Sequence, residues 1–193
     1  MLTTQKAFDS LDRSTLWKIL AFYVVPKKII DLIKSMYDNQ NVNVLFKGKL
    51  SNSFIVITGV RQGCLLSPFL FLLAIDYILQ PCNNGNGLPW VKGEELDDLD
   101  FADDLAITAD TLSKAQAKTT NIKEVSATMG LIINADKTKT MRINIEDDTP
   151  VKLDVNNNLE EVDTLRSFTQ GHQAQLISQP IPWSFYHEKV ITV

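Results

Sequence analysis

The chain is poor in the residues that mark specialised protein classes. It has two cysteines, Cys64 and Cys82, in no C-x-x-C pair or metal-ligand pattern, so a pair of reduced intracellular thiols is the expectation. Its two histidines, His172 and His187, stand without metal-ligand company. No uninterrupted run of about 18 apolar residues occurs, which argues against a membrane span. The N-terminus passes at once into polar "TTQK", with no signal-peptide pattern, and no internal repeat is visible. An excess of positive charge is missing too: 19 Lys and Arg face 23 Asp and Glu, a net −4. That balance argues against gripping nucleic acid by bulk charge alone, because phosphate neutralisation needs clustered bases.

What is present is a foldable chain. Hydrophobic residues make up 45% of 193, enough to bury a core, and one domain is expected. Local basic spots at Lys27–Lys28, Lys47 and Lys49, Arg61, and Lys137 and Lys139 read as solvated faces. Leu16, Ile19, Leu20 and Tyr23 form a helical stripe, with Ser10 or Asp12 available as its N-cap. Pro26 suits the first turn of a second helix through Ile29, Ile30, Ile33 and Met36. "NVNVLFKGKLSNSFIVI" alternates and turns at Gly48, the signature of a hairpin. "SPFLFLLAIDYIL", capped by Ser67 with Pro68 next, is apolar all round and predicts a central buried helix. "NNGNG" (83–87) predicts a loop.

Farther on, Leu99, Phe101, Leu105 and Ile107 flank "ADD", predicting a second hairpin with acids at its turn. Leu112, Ala115, Ile122, Val125 and Met129 predict another helix, stopped by Gly130, with short strands at "LIIN" and "TMRINI". Mixed helices and antiparallel hairpins predict an α+β domain with helices on one sheet face. From about Leu165 neither period persists, and residues 165–193 are expected to be a disordered or loosely packed tail.

Two adjacent carboxylates at a hairpin turn suit a divalent cation, which relieves their repulsion. Mg²⁺ needs one or two protein carboxylates when phosphate oxygens and water complete its octahedron. Alone, "ADD" reads more simply as an exposed acidic turn. "GVRQGCLLSPFLF" (59–71) adds a glycine-bearing loop before a helix, where backbone can approach a ligand closely. "GLIINADKTK" (130–139) adds a lysine after a strand, suited to a triphosphate or a leaving pyrophosphate.

Taken in order, "KAFD" (6–9), "GVRQGCLLSP" (59–68), "FADD" (101–104) and "GLIINADKT" (130–138) resemble the palm of a reverse transcriptase. The "RQG" and "FADD" forms are similar to the non-LTR, LINE-type retrotransposon branch. The likeness covers about residues 4–145, with a weaker echo in "VKLDVNNNLEEVDTL". It implies a partial polymerase domain over 1–164, with a palm-like antiparallel sheet, followed by the divergent tail. The activity implied is template-directed DNA synthesis by two-metal nucleotidyl transfer, with RNA template, DNA primer and dNTP as partners. A nuclear or cytoplasmic location follows from the same likeness.

Residue by residue, the resemblance makes Asp103 and Asp104 the Mg²⁺ ligands and Phe8 the ring that rejects a ribose 2′-hydroxyl. Arg61, Gln62 and Gly63 would lie near the template–nucleotide pair, and Asn134 would shape the segment of Lys137. Lys137 would approach the triphosphate, protonating the pyrophosphate or acting electrostatically.

One part of the pattern fails. The family's third acid stands five residues before the gate phenylalanine, and here that position is Thr3. Asp9, one residue past the gate, would face the other way on a strand. The fingers, thumb and F-x-Y-L-G hairpin find no match either. The expectation is therefore a truncated domain inactive alone. The alternatives are a silent nucleic-acid-binding module and a relic of a decayed element that barely folds.

Overall fold

The structure is a computed structural model. It describes residues 7–82, 87–89, 95–101, 104–145, 147–155, 157–162 and 189–192, with backbone alone at 89, 100, 101, 104 and 189–191. The chain divides into two compact units rather than the one domain its composition implied: Lys6–Tyr77 with Thr128–Leu131, and Ile78–Ala127 with Ile132–Val193.

In the first unit a helical turn, α1 (Ala7–Ser10), precedes α2 (Arg13–Phe22) and α3 (Lys27–Tyr37). Asp12, not Ser10, caps α2, accepting the Thr15 amide at 2.7 Å. Pro26 stands at the N-cap of α3, one place before its first helical residue. Leu16, Ile19 and Leu20 from α2 are buried as their spacing predicts, with Tyr23 half-buried; in α3 Ile30 and Ile33 are buried with Tyr37, whereas Ile29 and Met36 of the expected stripe are exposed. A ribbon follows, with outer strands β1 (Asn41–Val42) and β4 (Phe54–Ile55) and inner strands β2 (Leu45–Phe46) and β3 (Lys49–Leu50). Lys47 and Gly48 both have positive φ, 48° and 75°, the tight two-residue turn expected at Gly48.

Helix α4 (Ser67–Leu79) departs from its reading as an all-round buried helix. Leu70, Phe71, Ala74 and Ile75 are buried, but Phe69 is 56% exposed and Leu72 47%. Those two share a helical face with exposed Asp76, whose carboxylate accepts the Tyr23 hydroxyl.

The second unit is built on a five-stranded sheet. Its order is β12 (Glu160–Glu161), β9 (Lys139–Ile143), β13 (Lys189–Thr192), β8 (Asp104–Ala109), β7 (Asp98–Phe101). Only the β12–β9 pair is parallel. Two small antiparallel pairs lie outside it, β5 (Leu88–Pro89) with β6 (Glu95–Leu96) and β10 (Lys152–Asp154) with β11 (Asn157–Asn158). Helix α5 (Leu112–Thr128) buries Ala115, Lys118, Thr119, Ile122 and Ser126, a stripe at helical spacing. It ends as expected at Gly130, whose φ of 73° suits only glycine comfortably. Lys118 reaches the sheet, donating to the Asp97 carboxylate at 2.6 Å and the Thr108 carbonyl at 3.0 Å.

Two expectations fail here. "LIIN" is not a strand: Ile133 alone makes a bridge, because Asn134 at once turns the chain. Four residues of the segment expected to be loosely packed, Lys189–Thr192, form instead the middle strand of the sheet. The expected loop residues 83–86 and, within the expected tail, residues 165–188 and 193, with His172 and His187, lie outside the described residues.

Candidate functional site

In the second unit β7 and β8 pair antiparallel, with Asp100 opposite Leu105 and Phe101 opposite Asp104. This antiparallel pairing is the expected hairpin; Ala102, Asp103 and the Asp104 side chain lie outside what the structure describes. Behind Asp104, Leu105 through Ala109 are all buried, so the strand is covered on both faces. Its register is further fixed by the Thr108 hydroxyl, which donates to the Leu96 carbonyl, and the Thr108 amide, which donates to the Asp97 carbonyl at 3.0 Å. The first residue of such a strand inherits a fixed backbone position.

The same unit holds Asn134 and Lys137 in one turn. The Asn134 side-chain oxygen accepts the amides of Asp136 at 3.1 Å and Lys137 at 3.3 Å. Its carbonyl accepts the Thr138 amide at 3.0 Å and hydroxyl at 2.8 Å. This self-contained asparagine turn leaves the Lys137 side chain exposed at its tip. Among the described residues no group of three His, Cys, Asp or Glu is arranged to hold a metal ion.

The first unit brings together the "KAFD" and "GVRQG" segments. The segment around Phe8 is a helical turn, not the strand expected, so Asp9 is not set opposite Phe8 by strand alternation. The Phe8 ring stacks on Phe71 of α4, centroids 4.7 Å apart and 19° from parallel. The Phe8 carbonyl accepts the Val60 amide at 2.7 Å, and Gly59 donates to the Leu11 carbonyl at 2.8 Å. The Thr58 hydroxyl donates to the Asp9 carbonyl at 3.0 Å, and the Gln62 amide to the Asp9 carboxylate at 3.2 Å. Arg61, Gln62 and Gly63 are all exposed, and Arg61 reaches the Met36 carbonyl at 3.4 Å. Asp9, Arg13, Gln40, Val56, Thr58, Val60, Arg61 and Gln62 line a cleft of about 460 Å³.

The organiser of this cleft, Arg13, was not among the expected site residues. Its guanidinium donates to the carbonyls of Gly59 (2.8 Å), Val56 (2.9 Å), Thr58 (3.1 Å) and Tyr37 (3.3 Å) and to the Gln40 side chain (2.9 Å). It also lies 4.9 Å from the centre of the Tyr37 ring. One signal was available. A cation in the first turn of a helix is mildly disfavoured by the helix dipole, which makes Arg13 a weak outlier in the sequence.

Beside the loop, backbone amides at the start of α4 hold the Cys64 thiol below its ordinary range, helped by Ser67 and Arg61. Burial instead pushes the Cys82 thiol up to about 11, against a smaller opposing pull from Lys118.

Comparison with known proteins bears on this arrangement. Residues 2–175 match the model of the reverse transcriptase (RNA-dependent DNA polymerase) family. The chain is 32% identical over 142 residues to a retrovirus-related Pol polyprotein from the type-2 retrotransposable element R2DM of Drosophila melanogaster. It is 32% identical over 143 residues to a Pol polyprotein from the type-1 element R2 of Bradysia coprophila. To that of Nasonia vitripennis it is 27% identical over 173 residues. The alignments cover 74%, 74% and 90% of this chain but only 13%, 16% and 16% of those polyproteins. With its four motifs in family order and the match running nearly from end to end, the chain belongs to the reverse transcriptase family, among relatives from retrotransposable elements.

Proposed function

We propose that the chain carries the nucleotidyl-transfer face of an RNA-directed DNA polymerase and is inactive by itself. In this reading the five-stranded sheet is the palm, and RNA template, DNA primer and dNTP are the substrates. The observation that carries the reading is the β7–β8 hairpin, in which Asp104, adjacent in sequence to Asp103, begins a strand buried on both faces.

Two adjacent carboxylates supply hard oxygen donors, which fit a Mg²⁺ ion. When bound, a pair of such ions would stabilise the attacking and leaving oxygens of phosphoryl transfer. The donor set is one acid short. Thr3, in the position of the third carboxylate, offers a neutral hydroxyl that cannot serve as a charged ligand shared by two ions.

The remaining roles belong to the chain's own side chains. Phe8, its ring braced against Phe71, acts as the gate that clashes with a ribose 2′-hydroxyl. The exposed Gln62 and Gly63, with Arg61, contact the templating pair. Lys137, presented by the Asn134 turn, meets the triphosphate and either donates a proton to pyrophosphate or stabilises its charge.

Primer extension on an RNA template with Mg²⁺ tests this. No extension is expected from the chain as it stands, because a neutral hydroxyl stands in the position of the third carboxylate, and Thr3→Asp is not expected to restore full activity. Robust extension lost in Asp103→Ala would overturn the inactivity. Thr3 itself favours a second reading, a silent nucleic-acid-binding module; a gel shift that survives Asp103→Ala supports it.

A further inference from the structure

The ribbon formed by β1 to β4 has no part in the function just proposed, yet its composition is unusual. No aspartate or glutamate occurs between Asp38 and Asp76, in a chain that carries 23 acids among 193 residues. Within that interval the cations are Lys47, Lys49 and Arg61. The tip is also apolar and uncovered: Leu45 is 69% exposed, Phe46 69% and Leu50 70%. A two-stranded ribbon in water normally hides such residues or does without them.

The ribbon's two faces differ. Cross-strand partners share a face, so the Leu45–Leu50 pair occupies one side and the Phe46–Lys49 pair the other. On the Phe46 side the Lys47 ammonium lies 5.4 Å from the ring centre. One aromatic ring therefore stands with the Lys47 ammonium beside it and Lys49 as its cross-strand partner on the same face. The tip is held in shape from below: Ser51 accepts the Val44 amide on its hydroxyl at 2.9 Å, and Asn43 donates to the Ser51 carbonyl at 2.8 Å. An aromatic surface on which a base stacks, flanked by cations that meet phosphates, is the chemistry by which single strands are bound without sequence preference.

We infer that the Phe46–Lys47–Lys49 tip is a contact site for a single-stranded nucleic acid. The inference rests on the polymerase reading for the presence of such a strand, but not on catalysis. Net charge −4 does not oppose it, because the interval supplies its own local positive field.

The test is fluorescence anisotropy of a labelled single-stranded RNA titrated with the full chain across a salt series. Each phosphate contact on a single strand contributes about 0.7 to the slope of log affinity against log salt. Lys47→Gln with Lys49→Gln should therefore flatten the slope by about 1.4. Phe46→Ala should weaken binding about tenfold or more while leaving the slope unchanged. All three side chains are exposed, so thermal melts of the variants should match the parent. If the variants bind as the parent does, the tip is not the site, although the family reading stands. Absence of RNA binding by the parent chain also overturns the inference. So does self-association in sedimentation that Leu45→Ser with Phe46→Ser abolishes, since the face is then a protein interface. Primer extension reports on catalysis separately, so the two readings can fail independently of each other.

Discussion

Gly59 lies so close to Phe8 that a β-carbon on it would stand 2.5 Å from the Phe8 carbonyl oxygen. That oxygen accepts the Val60 amide at 2.7 Å, so it cannot withdraw without breaking the link between the two motifs. The φ of Gly59, 76°, adds a conformational demand to the steric one. Gly63 shares the conformation, with φ 79°, but a β-carbon there meets nothing within 4 Å. Gly59→Ala should cost at least about 2 kcal/mol, and Gly63→Ala only about 1 kcal/mol. Chemical denaturation of both variants measures the difference. Equal losses would show that close approach contributes nothing at Gly59.

Arg13 carries a second prediction. Its donors satisfy four carbonyls and one side-chain amide oxygen, several in partly buried surroundings. Arg13→Met keeps the aliphatic packing but strands those acceptors, and should cost about 2–3 kcal/mol. Arg13→Lys should recover little, because an ammonium cannot reproduce the planar fork. Trp17, whose ring lies 5.8 Å from that of Tyr37, offers a fluorescence signal for the urea titration. Full recovery by lysine would mean that charge, not geometry, is what the site requires.

These two residues also show what could be seen in the sequence. The helices of Leu16–Tyr23 and Leu112–Met129, the turn at Gly48 and the "ADD" hairpin follow from local period and turn chemistry, and the structure has them. Gly59 was visible as part of a motif, but the reason for it was not, because the atoms it approaches lie some 50 residues away in sequence. Arg13 was not singled out, because nothing local says which carbonyls it will meet. The exposed side of α4 was misread because composition gives apolarity all round but not which neighbours arrive. β13 could not be read at all, since a lone four-residue strand carries its meaning in its partners.

The buried pair Lys118–Asp97 belongs to the same long-range class. The Lys118 side chain is 5% exposed and that of Asp97 15%, with 2.6 Å between charges. Removing one partner from a buried pair is costly because the other charge stays behind. Asp97→Asn should cost about 3 kcal/mol, leaving the ammonium with carbonyls alone. Lys118→Met should cost less, since Asp97 lies nearer water and can rehydrate. The reverse ranking, read from thermal melts, would place the burden on the carboxylate.

The two thiols should behave oppositely. Amide donors at the head of α4 hold Cys64 low, so a larger thiolate fraction exists near neutral pH and alkylation should begin there. Cys82, fully buried and raised to about 11, should resist reagent until the protein unfolds. Its pH linkage has a definite sign. The unfolded thiol ionises near 9.0 and the folded one near 11, so the stability it confers is intact below about 9 and is lost as pH rises from there toward 11. Mass mapping after iodoacetamide, and melts from pH 8 to about 11, check both halves. Early labelling of Cys82 at neutral pH would contradict its burial.

The last described strand supplies the sharpest check on the sheet. Ile191 pairs with Thr108 on β8 and with Met141 on β9, so its backbone stands between two ladders. Proline there removes an amide and is not tolerated in a central strand, and Ile191→Pro should cost about 3 kcal/mol. Thr192 carries the opposite expectation. It faces Thr140 across the β13–β9 pair, and both hydroxyls are buried with no hydrogen-bond partner among the described residues. Thr192→Val replaces a desolvated hydroxyl by a methyl of the same shape and should raise stability by about 1 kcal/mol. The two variants together separate strand from side chain. If Ile191→Pro leaves the melt untouched, these residues do not sit between β8 and β9. If the proline destabilises but Thr192→Val does too, the strand is in place and its hydroxyl has found a partner.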